Sequence, residues 1–218
     1  MPPARLLGVA LVAALTVTGC SGGGDSAAKK KDQTEASSAE FTHAAVRLAV
    51  SGADRVSPHA KLGRLEDSTT ADVVAVVQQL LLVTSAKPLV EGTAGRGLAE
   101  LFTRDAGARA AGQDRHVFFD DSLPRFGVLT PVASRLHLTG LAGTQDPSTA
   151  LVIARFLWDV TSKAHPADRV TRDGELSLVK VGGGWRIGAY TITVTRSVDG
   201  STTTTTASTT TTTAKGSK

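Results

Sequence analysis

Asp120, Asp121, His137 and Asp159 are of types that move protons, and Cys20 holds the only thiol of the chain. A carboxylate or imidazole works as a general base when it lies within hydrogen-bond reach of the proton and a neighbour orients or tunes it. The spacing argues against such a constellation. Leu136 and Leu138 alternate with Arg135 and His137, and Val152, Ala154, Phe156, Trp158 and Val160 leave Arg155 and Asp159 on the other side. Period-two alternation puts His137 and Asp159 on solvated strand faces, beside Arg135 and Arg155. Asp120 and Asp121 precede Pro124 after a short apolar run, a position where acids commonly serve a turn. No catalytic residue is assigned on this basis. Nor is a metal expected: His43, His59, His116, His137 and His165 show no paired ligand spacing. The glycine-rich Gly92–Gly97 (GTAGRG) has no strand before it and no Lys-Ser or Lys-Thr after it, so it reads as a connector and no cofactor is expected.

Cys20 has a more specific setting. Met1 to Arg5 holds one positive side chain and no acid, and Leu6 to Val17 is an apolar run, too short for the ~20 residues of a spanning helix. Its length suits the apolar region of a signal peptide. The run ends in Val17-Thr18-Gly19-Cys20, followed by Ser21 and glycines. This tetrapeptide resembles the lipobox of bacterial lipoproteins. The resemblance implies cleavage before Cys20, diacylglycerol on its sulfur and attachment to the outer face of the cell membrane. A lone cysteine excludes an intrachain disulfide, and lipidation accounts for it.

The expected organisation is a signal peptide over 1–19, a lipidated tether over 20–40, one domain over 41–199 and a disordered tail over 200–218. The tether (SGGGDSAAKKKDQTEASSA from Ser21) has no apolar stripe, and the tail contains Thr202–Thr206 and Thr209–Thr213. Segments of this composition bury too little surface to offset their ordering entropy. The net charge is +4, yet residues 60–198 hold 16 Lys and Arg against 14 Asp and Glu, and Lys29, Lys30 and Lys31 sit in the tether. Without a basic stripe interleaved with aromatics, nucleic acid is not an expected partner.

Within the domain, Asp67-Ser68-Thr69-Thr70 precedes Val73, Val76, Val77, Leu80 and Leu81 at helical spacing, which predicts a helix from about Thr70 to Thr84 ending near Lys87-Pro88. Leu98, Leu101 and Phe102 share a face of a short helix. Val46, Leu48 and Val50 alternate, which leaves strand and helix both open. After Asp105 the pattern becomes strand-like: His116–Phe119, Val132–Leu138, Leu151–Thr161, Glu175–Val181 and Trp185–Val194, the last two joined at Gly182-Gly183-Gly184. Helices followed by strands predict an α+β fold, with N-terminal helices on a curved antiparallel sheet.

The span Ala71–Arg196 resembles the nuclear-transport-factor-2-like superfamily. The matching pieces are Leu98–Thr103 with Gly112–Arg115, the turn Asp121-Ser-Leu-Pro124, and the hairpin from Glu175 through Trp185 to Arg196. The chain is also similar to membrane-anchored accessory proteins of actinobacterial mammalian-cell-entry transport systems, which usually have a spanning helix in place of a lipobox. The resemblance implies a cone-like fold whose sheet and helices can enclose a pocket. Phe156, Trp158, Tyr190 and Ile192 are the candidate ligand-binding residues, with simple core packing as the alternative. The expected function is a noncatalytic binding or accessory module for a hydrophobic small molecule or an envelope partner. The alternative is a small cone-fold isomerase, dehydratase or hydrolase.

Overall fold

The computed structural model describes residues 44–57, 60–93, 96–142 and 149–209; the signal peptide, Cys20, the tether, His43, His59 and the end of the tail lie outside the described residues. The fold is α+β. Strands β1 (Ala49–Ser57) and β2 (Ala60–Arg64) come first. The helices follow: α1 (Asp67–Leu81), a π-helical stretch (Leu82–Ala86), α2 (Lys87–Glu91), α3 (Leu98–Leu101), α4 (Arg104–Ala111) and α5 (Arg115–Phe118). Then come β3 (Leu129–Ala142), β4 (Thr149–Ser162), β5 (Arg169–Val181), β6 (Gly184–Val198) and β7 (Ser201–Ser208). Among the described residues seven strands join one sheet in the order β2-β1-β3-β4-β5-β6-β7.

Two corrections concern its architecture. Apart from a helical end at Ala44-Ala45, the described helices lie between β2 and β3 rather than ahead of the sheet, and the sheet is mixed, because β3 returns beside β1 in the same direction. A parallel neighbour needs a long crossover, and the helical segment supplies it. From β3 onward the strands form an antiparallel meander.

The core lies between the helices and one face of this sheet. Val73, Val77, Leu80 and Leu81 form the buried stripe of α1. Against it are packed the inward residues of the strands, among them Leu136, Leu138, Val152, Ala154, Val160, Leu176 and Val194, all fully buried. In β6 the inward set switches from Trp185 and Ile187 to Tyr190, Ile192 and Val194, with a register shift opposite Ser177 and Leu178. One extra residue reverses the parity of a strand, so this bulge keeps both ends of β6 facing the core.

Four local expectations change. The first helix does not end before Pro88 but continues through a π-turn to Glu91, where Gly92 adopts φ 74° as its left-handed cap. Proline cannot donate to the carbonyl four residues back and crowds it; widening of the helix accommodates this, and Lys87 N–H donates to Leu82 O. His116–Phe119 is not a strand: Arg115–Phe118 is a helical turn, and a short apolar run fits either state. Val46 and Leu48 are buried before β1 begins at Ala49, and Val50 is exposed, so the alternation there does not mark a strand. Finally, Ser201–Ser208 is a strand and not part of a disordered tail. Asp199 (φ 51°) and Gly200 (φ 76°) form a two-residue turn with both φ positive, the geometry that twists naturally into a hairpin.

Gly174 is closely packed against a neighbouring strand on the inner face. A Cβ there would lie 2.7 Å from Thr191 O and 3.1 Å from both Ile192 and Phe156 side-chain atoms, whereas at Gly188 the nearest contact would be an ordinary 3.5 Å. Gly174→Ala should therefore cost about 2–3 kcal/mol in urea unfolding, and Gly188→Ala less than about 0.5 kcal/mol. Equal losses at the two positions would contradict this packing.

Candidate functional site

Three buried carboxylates organise the polar part of the described molecule. Asp120 follows α5 and is completely buried. Its Oδ2 accepts from Arg172 Nη2 and its Oδ1 from Arg196 Nε, both at 2.7 Å. The two arginines come from the inward faces of β5 and β6 and reach past the carboxylate to the end of α5. Arg172 donates to Val117 O at 3.0 Å and Phe118 O at 2.8 Å. Arg196 donates to the carbonyls of His116 and Val117, each at 3.1 Å, and to Thr205 Oγ1 on β7. One carboxylate does not neutralise two guanidinium groups. The carbonyl ends at the C-terminus of α5 contribute the remaining negative potential and gain the donors that the helix lacks there. Burial pushes the Arg172 guanidinium below its ordinary value; Asp120 opposes this shift and Arg196 adds to it.

Asp114, at the start of α5, is the second centre. Its Oδ2 accepts from Tyr190 Oη at 2.6 Å and from Arg109 Nε at 2.8 Å. The Tyr190 ring meets Phe118 and Phe102 edge to face, with centroids at 4.8 and 5.9 Å. Such contacts suit the aromatic quadrupoles and hold the hydroxyl on the carboxylate. Asp159, the third, lies on the outer face of β4 and accepts from both Arg169 Nε and Arg169 Nη2, with Thr171 Oγ1 at 3.1 Å. The Asp159 carboxylate raises the Arg169 guanidinium, first through hydrogen bonding.

These positions correct two expectations. Asp120 does open a turn, its carbonyl accepting from Leu123 N–H at 3.1 Å, but its carboxylate is also a buried ion-pair centre, and Asp159 is buried although its strand parity is outward. Alternation reports the side of the sheet on which a residue lies; the half-exposed Arg169 side chain that covers Asp159 comes from the neighbouring strand. Asp121 does lie partly exposed, paired with Arg115 at 2.6 Å. His137 is on the open face as expected, 3.4 Å from Asp54. Arg172 and Arg196 were not singled out in the sequence. The available signal was an arginine at an inward-parity position of each of two adjacent strands.

Phe156, Trp158, Tyr190 and Ile192 share the inner face and are each at most 3 % exposed. Trp158 Nε1 donates to Ala45 O at 2.8 Å, which ties the segment before β1 to the centre of the sheet. None of the four lines the shallow grooves described on this surface. One groove, of about 280 Å³, lies on the open sheet face around Arg155, Asp173, Glu175, Thr191 and Thr193. Another, of about 560 Å³, follows β1 from Val50 to Asp54 with Gly63 and Arg64. A third, of about 540 Å³, lies between Arg125, the His165–Asp168 loop and Asp199. Among the described residues no group of three or more His, Cys, Asp or Glu is placed to hold a metal ion.

The open face has its own order. Opposite residues of β6 and β7 form hydroxyl pairs at 2.9–3.1 Å: Thr191 with Ser208, Thr193 with Thr206, Thr195 with Thr204 and Ser197 with Thr202. Thr209 N–H donates to Tyr190 O, which makes that pair a hydrogen-bonded one and the four hydroxyl pairs non-bonded ones. Side chains approach more closely at non-bonded pairs, which accounts for the short oxygen separations. Searches of protein-family models, curated proteins and solved structures give no match to this chain.

Tyr190 is the only tyrosine, so its titration can be read directly. Burial, then the hydrogen bond and charge of Asp114, hold its hydroxyl well above the ordinary value of about 10. The unfolded chain releases this proton first. The resulting stability is fully present below about pH 10 and is lost as pH rises from there toward the raised folded value. Tyrosinate absorbance should therefore appear together with loss of near-ultraviolet circular dichroism. Ionisation near pH 10 with the fold intact would contradict the Tyr190–Asp114 bond.

Proposed function

We propose that this protein is a membrane-anchored extracytoplasmic lipoprotein and a noncatalytic accessory module with a cone-like curved sheet, which docks an envelope partner through its open sheet face. What supports docking over ligand enclosure is the state of the four candidate residues. Trp158 and Tyr190 spend their polar hydrogens on Ala45 O and Asp114, and Phe156 closes against Gly174. A pocket wall of this kind would leave apolar surface unpaired; here it is packed. The buried acids point the same way, since Asp114, Asp120 and Asp159 each accept from arginine and have roles in binding elements together. A general base needs a lone pair available to substrate. The opposite face presents exposed Arg155, Asp173 and a double row of hydroxyls, the polar composition typical of a rim or a transient interface.

The attachment rests on the lipobox-like Val17–Cys20, outside the described residues. The helical segment Asp67–Glu91 is long and apolar enough to cross a membrane by composition, with a mean hydropathy of 1.7, yet 61 % of that window is buried inside the domain. It serves as the core helix, so in this reading the lipid is the anchor. Cys20→Ser should move the protein from the membrane fraction to the soluble fraction. Retention of the variant in membranes washed with high salt would contradict lipid attachment at Cys20.

A further inference from the structure

The two edges of the sheet are built differently. β2 is five residues long, contains Lys61, Gly63 and Arg64 in sequence, and pairs with β1 through a register shift between Arg55 and Ser57. A short, charged and irregular edge is how a sheet discourages pairing with other strands. β7 has none of these features. Its eight residues, Ser201–Ser208, contain no charge and no proline, and its pairing with β6 runs without a bulge.

The register shows which backbone groups this edge leaves available. Asp199-Gly200 makes Val198 and Ser201 the closing pair, and Thr209 donates to Tyr190 O at the far end. Ser201, Thr203, Thr205 and Ala207 therefore turn their amides toward β6. Thr202, Thr204, Thr206 and Ser208 turn theirs outward, along a line of about 20 Å at the usual rise per residue.

From this edge we propose that two copies of the chain pair through β7, antiparallel and about a two-fold axis, to make one continuous sheet. The occupant is argued from the strand itself. An uncharged strand of serines, threonines and one alanine meets no electrostatic penalty against its own copy, whereas it offers no charge complementarity to an acidic or basic partner. A two-fold places the same patch against itself, and each described chain has one such edge, so the pairing closes at two. The hydroxyl pairs on the open face would then continue across the junction as Thr-on-Thr neighbours, which cross-strand pairing favours.

The full-length chain with Cys20→Ser, which removes the anchor without touching β7, is suited to light scattering in solution. The expected mass is that of a dimer. Thr204→Pro removes one outward N–H and no backbone bond to β6, losing only the exposed hydroxyl pair with Thr195, so it should yield a monomer whose thermal midpoint falls by no more than that of Thr204→Ala. Thr204→Lys, a charge on the exposed face of the edge, gives a second route to the same monomer without altering the backbone. A Cys20→Ser chain that is already a monomer would overturn the proposal and leave β7 to residues 210–218 of its own chain or to a different protein. A dimer that survives both substitutions, or an assembly larger than two, would overturn it as well.

Discussion

The Asp120 carboxylate has to satisfy two buried guanidinium groups at once, and the arrangement of helices on sheet follows from that requirement. Its position originates at a proline. Pro88 has no N–H to give Thr84 O, and the carbonyl left free in the π-turn accepts instead from Asp120 N–H at 3.1 Å. The backbone of Asp120 is thereby held on the long helix while its side chain holds β5 through Arg172 and β6 through Arg196. Arg196 extends the linkage to β7 through Thr205. Removing one partner from such a buried cluster leaves an uncompensated charge, which makes its members interdependent.

The second consequence is a division of labour between the faces of the sheet. Inward positions are spent on the arginines, on Trp158 and Tyr190, and on close packing around Gly174. Apart from Arg172 Nε, which is buried without a hydrogen-bond partner, these side chains direct their polar groups to partners within the molecule, and their contribution is structural. Outward positions carry the ion pairs Arg155–Glu175 and Arg169–Asp159 and the hydroxyl pairs of β6 and β7, near the surface. The open face and the β7 edge are accordingly the surfaces proposed for interaction with other molecules. In the proposed reading, in which lipid tethers the domain, lateral docking of this kind needs no internal cavity.

Periodicity made much of the fold legible. The stripe Val73–Leu81 and the alternation in β3, β4 and β6 are strong because each repeats over several residues against one apolar core. What escaped was decided by tertiary contacts or by turn chemistry. The α5 turn is set by arginines arriving from distant strands, which a four-residue apolar run cannot reveal. Continuation of the helix past Pro88 depends on a substitute donor 32 positions away in sequence. Asp199-Gly200 was a readable signal for the last hairpin, overshadowed by the low complexity of the threonines after it. Of the site, parity correctly assigned the inner residues to one face. It could not tell a packed wall from a lining, because that difference lies in what each side chain touches.

Equilibrium urea unfolding of Asp120→Ala, measured beside Asp159→Ala, tests the role of the buried cluster most directly. Asp120→Ala should lose about 3–5 kcal/mol, enough to leave the domain marginal or unfolded. Asp159→Ala frees an Arg169 that already reaches solvent and should lose markedly less. A loss at Asp120 within about 1 kcal/mol of wild type, or no larger than the loss at Asp159, would contradict the claim that this carboxylate joins helix to sheet.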